Sequence, residues 1–143
     1  MPATDLVAVL TPVSRFLPAA PASVGAARRL VSDALADWRA PDLLDDVALC
    51  ATELVTNAIQ HGSRPGRAVH VRLLPLPAAE GLRLEVHDTG PALPRPCPAG
   101  PDDTRGRGLL LVSALSDAWG TEHRPPAGKV VWCEWRAPRR ALC

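Results

Sequence analysis

A carboxylate and a carboxamide stand four residues apart at Glu53 and Asn57, in a stretch whose apolar residues recur with the period of a helix. This spacing places both side chains on one helix face, one turn apart. A carboxylate can accept a proton or orient a hydroxyl group, and an amide oxygen is a suitable ligand for Mg²⁺. Such a pair alone is more often solvated helix surface, so its meaning depends on the rest of the sequence.

Two further groups flank a long proline-rich stretch. Asp88 and Gly90 follow an alternating strand pattern, where a carboxylate can reach the edge of a ligand and a glycine lets the backbone approach it. The residues from Arg105 to Gly108 precede an apolar helix, and a glycine-rich turn at a helix N-terminus offers free N–H groups to an anion. The pattern is not a full G-x-G-x-x-G, because position 111 is leucine, and the chain contains no P-loop signature.

In this order, the three groups resemble the nucleotide-binding motifs of the GHKL superfamily, the ATP-binding fold shared by gyrase, histidine kinases and MutL. More narrowly, the chain resembles the bacterial anti-sigma-factor serine/threonine kinases and their short actinobacterial branch. The stretches that carry the resemblance are Glu53-Leu-Val-Thr-Asn57-Ala-Ile-Gln-His61-Gly62, Val86-His-Asp88-Thr-Gly90-Pro91, Gly106-Arg-Gly108-Leu-Leu-Leu-Val112 and Gly128-Lys-Val-Val-Trp132-Cys-Glu134.

The resemblance implies a role for each matched residue. Glu53 would activate the acceptor hydroxyl or water, and Asn57 would coordinate Mg²⁺. Asp88 would accept a hydrogen bond from the adenine amino group, and Gly90 would shape the pocket. ATP and Mg²⁺ are therefore the expected cofactors. The residues expected around the phosphates are Arg105, Gly106, Arg107 and Gly108, although the two arginines fit a solvated lid equally well.

The implied function is an ATP-dependent serine/threonine protein kinase that phosphorylates an anti-anti-sigma-like protein in a partner-switching system. A sigma-factor-like protein would be its alternative ligand, and homodimer formation stays open. Two residues depart from the family pattern: Ala92 replaces a glycine of the second motif, and Lys129 replaces a threonine that touches adenine in many relatives. These departures support an alternative, a non-catalytic, nucleotide-gated binding module, whereas the retained Glu53 and Asn57 argue against it.

Other classes of protein are disfavoured. No coiled-coil helix with a phosphoacceptor histidine precedes the motifs, as a two-component sensor would require, and no clustered His or Cys residues indicate a metal-only hydrolase. The net charge of +1 argues against direct nucleic-acid binding. The chain has no long apolar run, no basic signal sequence and no paired cysteine spacing, so we expect a reduced, cytoplasmic protein without membrane contact.

Hydrophobic periodicity predicts the elements that must position these residues. The first helix is expected to start at Ser23 as N-cap, and the second to run from a capping box at Asp42 and Asp45 to Gly62. Cys50 is expected on the polar face of the second helix. Alternating residues predict strands around 69–73 and 82–87, followed by a third helix over 108–118 and strands around 119–122 and 129–135.

This order of elements predicts an α+β two-layer sandwich, with about three helices on one face of a largely antiparallel mixed sheet. We divide the 143 residues into an extended or strand-forming lead-in (1–22), an ATP-binding kinase-like domain (23–136) with a lid loop (91–105), and a tail (137–143). Trp132 and Trp135 stand three apart on one predicted strand, so they must point to opposite faces, and one of them lies outside the core.

Overall fold

The structure, a computed structural model, describes residues 10–62, 66–88, 107–124 and 128–136. Three α-helices pack against a sheet of five strands, which confirms the predicted two-layer α+β sandwich. The elements in chain order are β1 (Val13–Pro18), α1 (Ala22–Asp37), α2 (Leu44–Asn57), β2 (Ala68–Pro75), β3 (Gly81–Asp88), α3 (Arg107–Leu115), β4 (Ala118–His123) and β5 (Lys129–Arg136).

The sheet has the order β1-β2-β3-β5-β4, and every pairing among the described strands is antiparallel. The prediction of a mixed sheet is wrong in this detail, because no parallel pair joins the described strands. The last of them, β5, is inserted between β3 and β4 and pairs with both. Its inward residues Val131, Cys133 and Trp135 therefore lie deep in the core.

The first helix uses the predicted apolar stripe but not the predicted cap. Ala27, Val31 and Leu35 are buried, as their spacing predicts. The helix already begins at Ala22, and the Ser23 hydroxyl instead donates a hydrogen bond to the carbonyl of Pro18. The prediction of Ser23 as N-cap is wrong, because this side chain ties the helix to the end of β1.

The second helix also starts differently from the prediction. A short 3-10 turn, Pro41–Leu43, leads into α2, and no side chain caps either element, so the capping box at Asp42 and Asp45 is not formed. After Asn57 the helix widens into a π-helical turn that ends at Gly62. Within the described residues, no helix is both long enough and apolar enough to cross a membrane.

Cys50 faces the core and not the polar side of α2, which corrects the prediction. It is fully buried next to Cys133 of β5, which is also a free cysteine. Burial, together with the hydrogen-bonding Cys50 thiol, raises the pKa of the Cys133 thiol. Both cysteines therefore act as small apolar residues that join α2 to the sheet.

The two tryptophans of β5 lie on opposite faces of the sheet, as predicted. Trp135 is 2% exposed on the helix side, and its Nε1 donates a hydrogen bond of 2.8 Å to the carbonyl of Leu115 in α3. Trp132 lies on the outer face, where the Arg83 guanidinium is 4.3 Å from its ring centroid. One tryptophan thus packs in the core and the other belongs to the polar outer surface.

An ion-pair network covers the centre of this outer face. Glu85 accepts hydrogen bonds from Arg72 at 3.0 Å and from Arg83 at 2.8 Å, and it lies 2.9 Å from His87 Nε2. Arg83 also reaches Glu134 of β5 at 2.9 Å. Cross-strand charge pairs of this kind stabilise the sheet where no helix covers it.

Candidate functional site

The face of α2 that carries Glu53 and Asn57 meets the start of α3. Gly108, the second residue of α3, is buried there, and a methyl group at this position would lie 2.8 Å from Glu53 Oε2 and 3.6 Å from Asn57 Nδ2. A residue without a side chain leaves room for both polar groups at this contact. The fold therefore brings the first and third sequence motifs together.

This contact combines three kinds of chemical group. The backbone N–H groups in the first turn of a helix have no acceptor within the helix, and its dipole favours an anion there. At the start of α3 such donors lie next to the Glu53 carboxylate and the Asn57 amide. The arrangement can bind a phosphate group and hold a proton acceptor beside it.

The second motif lies at the end of β3, where Asp88 is directly opposite Lys129, the first residue of β5. Lys129 Nζ donates a hydrogen bond of 2.9 Å to Asp88 Oδ1, and the two side chains are only 5% and 2% exposed. Asp88 continues the buried series of Leu84 and Val86, so it points toward the helix layer. Either charge alone would be costly to bury, and each is balanced by the other.

Both parts of the site lie at the same end of the sandwich. The π-helical turn after Asn57 contacts β3. From that turn the chain enters β2, whose first residues lie beside the end of β3, with His70 opposite His87. The Asp88–Lys129 pair is therefore at the end of the sheet that faces the C-terminal half of α2.

Several predicted site residues cannot be placed. Gly90, Arg105, Gly106 and the lid segment 91–105 lie outside the described residues, and Arg107 is described only as the first residue of α3. Gly108, Glu53 and Asn57 meet at one contact, and Asp88 lies at the same end of the fold. The chemical roles assigned to all of them stay predictions.

Lys129 is a site residue to which sequence reasoning assigned no role. Its partner Asp88 is 41 positions away, and the register that joins them depends on where β5 enters the sheet. A signal for it was present in the composition: among sixteen basic residues, fifteen are arginine and Lys129 is the single lysine. The chain uses an ammonium group only at this buried position.

The oxygen donors at the α2–α3 contact fit a magnesium ion that is shared with a bound ligand. Asn57 offers an amide oxygen and Glu53 a carboxylate, the hard donors that Mg²⁺ prefers. In the part of the chain that is described, no group of three or more His, Cys, Asp or Glu side chains could hold a metal by itself. Mg²⁺ usually binds through one or two protein oxygens, waters and substrate phosphates, so this donor set agrees with that mode.

Comparison with known families identifies one match that spans the site. Residues 17–135 match the family described as the histidine kinase-like ATPase domain. The matched range contains all three motifs and Lys129. It begins at Leu17, near the end of β1, and ends near the end of β5. The match therefore concerns the whole sandwich together with the candidate site.

The chain is also similar to two individual proteins. An uncharacterized protein of Streptomyces coelicolor is 40% identical over 85 residues, which make up 58% of this chain and 78% of the relative. The crystal structure of the RsbU and RsbW domains of Rv1364c from Mycobacterium tuberculosis has the same fold, with a TM-score of 0.68 at 20% identity. That match covers 88% of this chain but only 32% of the larger one, so it is a likeness of fold.

Proposed function

Since the chain belongs to the histidine kinase-like ATPase domain family, we propose that it is an ATP-dependent serine/threonine protein kinase of the anti-sigma-factor type. Its substrate is an anti-anti-sigma-like protein, and a sigma-factor-like protein is its alternative ligand. The observation that carries the proposal is the contact of Glu53 and Asn57 with Gly108 at the start of α3. A proton acceptor, a metal ligand and an anion-binding helix end are the parts that phosphoryl transfer requires.

Each described residue has a defined task in this proposal. The N–H groups at the start of α3 bind the ATP phosphates, and Glu53 accepts the proton of the incoming serine or threonine hydroxyl. Asp88, at the inner end of β3, accepts a hydrogen bond from the base. Positioning and charge stabilisation account for most of the rate enhancement in phosphoryl transfer. The distance between α2 and α3 therefore sets the rate, because it positions Glu53 relative to the bound phosphates.

Mg²⁺ completes the set when it is bound with the nucleotide. Asn57 would hold the ion, which would supply positive charge next to the transferred phosphoryl group. The proposal is supported by the Glu53 carboxylate and the Asn57 amide group, which lie side by side at the α2–α3 contact. Asn57→Ala, which removes the amide oxygen, is expected to change the Mg²⁺ dependence of ATP binding before it changes the fold.

The choice of a protein substrate and of a cytoplasmic location rests on the resemblance of the three motifs to anti-sigma-factor kinases. The nearly neutral net charge supports a protein partner over a nucleic acid. The test is transfer of label from γ-labelled ATP to a purified anti-anti-sigma-like protein, with the wild type and Glu53→Gln compared. We expect Glu53→Gln to lose transfer by at least about 100-fold while ATP binding is retained.

A matched control for this variant is Glu122→Gln, which makes the same chemical change at an exposed position of β4. It should transfer label at the wild-type rate. Equal transfer by Glu53→Gln and the wild type would refute the assignment of Glu53 as the base.

A second candidate function is a nucleotide-gated binding module without catalysis. The observation that favours it is the Asp88–Lys129 ion pair. This pair changes the part of the site that would bind the adenine ring, where the family pattern has a threonine instead of Lys129. The same labelling experiment separates the two functions. Label on the partner supports the kinase, whereas ATP-dependent association of the partner without label supports the module.

A further inference from the structure

We propose that Lys129 is a base-recognition residue and that Asp88 and Lys129 together read positions 1 and 6 of a purine. The site would then bind 6-oxopurine nucleotides such as GTP as well as ATP. This inference rests on the proposed nucleotide site and adds a specificity that the three motifs do not contain. It is drawn from the ion pair itself, its burial and the hydrogen-bonding capacity of its ammonium group.

Lys129 has unused hydrogen-bonding capacity. An ammonium group has three N–H donors, and Asp88 is the only partner of Nζ among the described residues. The side chain is only 5% exposed, so bulk water has little access to the two remaining donors. A buried charged donor without an acceptor is costly, and the position therefore calls for an acceptor from a ligand.

The Asp88–Lys129 pair lies next to the other residues of the proposed site. Asp88 and Lys129 are buried on the helix-facing side of the sheet, at the end where α2 and α3 form the rest of the site. The backbone enters β5 through Gly128, which has a φ of +118°. A glycine in this conformation is easily accommodated, so the chain can turn sharply into β5 and bring Lys129 opposite the end of β3.

Adenine and guanine differ in the pattern of hydrogen-bond donors and acceptors at positions 1 and 6. Adenine has a donor at position 6 and an acceptor at position 1, whereas guanine has an acceptor at position 6 and a donor at position 1. A carboxylate opposite position 6 favours adenine, because it accepts from the amino group of adenine and repels the O6 atom of guanine. A carboxylate paired with an ammonium group can bind either purine. The carboxylate accepts from whichever position carries the donor, and the ammonium group donates to the position that carries the acceptor.

The test compares the dissociation constants of Mg·ATP and Mg·GTP, measured by calorimetry on the wild type, on Lys129→Met and on Lys129→Thr. For the wild type we expect the two constants to agree within about tenfold. Without Lys129, ATP loses the donor at N1 but keeps the hydrogen bond from its amino group to Asp88, whereas GTP loses the donor to O6 and has that oxygen next to the carboxylate. GTP should therefore weaken relative to ATP by about 10- to 100-fold in both variants. The ratio is the readout because a fraction of unfolded protein lowers both apparent affinities equally.

The outcomes separate this inference from the proposed function. Wild-type protein that binds ATP and rejects GTP, or variants whose ATP/GTP ratio is unchanged, would overturn the role of Lys129 and leave the ATP site intact. Failure of the wild type to bind either nucleotide would refute both proposals. Arg124→Met, which removes a cation on the exposed connection between β4 and β5, is the control and should leave the ratio unchanged.

A second measurement reads the ammonium group directly. Because the chain has a single lysine, protein labelled with ¹⁵N-lysine gives one side-chain Nζ signal in NMR. We expect ATP and GTP to shift this signal and inorganic tripolyphosphate, which has no base, to leave it in place. A purely structural Lys129 would show no such difference between the nucleotides and tripolyphosphate.

Discussion

Gly108 and Glu53 are so close that a methyl group on the glycine would lie 2.8 Å from the carboxylate oxygen Oε2. This single contact joins the helix end proposed to bind phosphate to the residue proposed to accept the proton. In that proposal, the space left by the missing side chain of Gly108 serves the site as well as the packing of α3.

We predict that Gly108→Ala displaces the Glu53 carboxylate and lowers phosphoryl transfer by about tenfold or more, because misplaced reacting groups lose rate steeply. The clash is with the flexible end of a side chain, so the free energy of unfolding should change by less than about 1 kcal/mol. Transfer rate and thermal unfolding, measured on the same preparation, test this.

The control is Gly25→Ala in α1, where the added methyl group would lie 3.7 Å from its nearest neighbour, Arg29. Alanine in an unhindered helix position stabilises by roughly 0.5–1 kcal/mol. Transfer by Gly25→Ala should equal that of the wild type. An equally active Gly108→Ala would contradict the role of this contact.

A second prediction concerns the turn into β3. Gly81 has a φ of +141°, and a methyl group there would lie 2.0 Å from the backbone oxygen of Trp135. Gly81→Ala should destabilise the protein by about 3 kcal/mol or more, since a positive φ and a backbone clash act together. Urea unfolding measures this loss, and a cost below about 1 kcal/mol would show that β3 and β5 separate easily here.

The third prediction uses the two tryptophans of β5 as a matched pair. Trp135→Phe removes the donor to the carbonyl of Leu115, which links the sheet to α3, and it leaves a cavity in the core. We expect a cost of about 2 kcal/mol or more. Trp132→Phe weakens the contact with Arg83 and the packing over Gly120 on the outer face, and about 1 kcal/mol or less is expected. Equal costs in urea unfolding would contradict the assignment of the two faces.

The fourth prediction is a loss of stability in acid that involves His87. Burial lowers the pKa of His87 below 6.5, although the hydrogen bond with Glu85 opposes this. In the neutral ring, Nε2–H donates to Glu85 and Nδ1 accepts from Arg124 at 3.3 Å, so a second ring proton would face a cation. The pKa of nearby His70 is lowered as well, first by burial and then by His87.

The number of bound protons decides how the free energy of unfolding changes with pH. A histidine whose pKa is lowered by folding binds fewer protons in the native state than in the unfolded chain, so the free energy of unfolding falls as the pH drops below 6.5. Thermal unfolding at about pH 7.5 and about pH 5.5 should show a smaller decrease for His87→Gln than for the wild type. An identical decrease would place the acid sensitivity elsewhere.

Much of the fold could be predicted from periodicity. Alternation identified β2 and β3, and the stripe of Ala27, Val31 and Leu35 identified α1, because burial of one face imposes these spacings. Two of the errors fall at helix starts. Ser23 and Asp42 have the right residue types for caps, but the chain geometry after β1 and the turn at Pro41 leave their side chains without that role.

The site was predictable as far as local motifs reach. Glu53 and Asn57 share a helix face by spacing alone, and Gly108 was expected at a helix start. The Asp88–Lys129 pair was not predictable, because it depends on the insertion of β5 beside β3, a contact between distant residues. The prediction for Cys50 was wrong for a related reason. The buried face of α2 is wider than the apolar stripe, and it includes Cys50, which packs next to Cys133 of β5.

The insertion of β5 between two earlier strands has a consequence for biosynthesis. A nascent chain that has left the ribosome only as far as β4 exposes the free edge of β3 and has no Lys129 opposite Asp88. An open strand edge invites pairing with other chains, so this intermediate is the aggregation-prone stage of synthesis. Completion of the sheet and the pairing of Lys129 with Asp88 therefore take place in the same step, the insertion of β5.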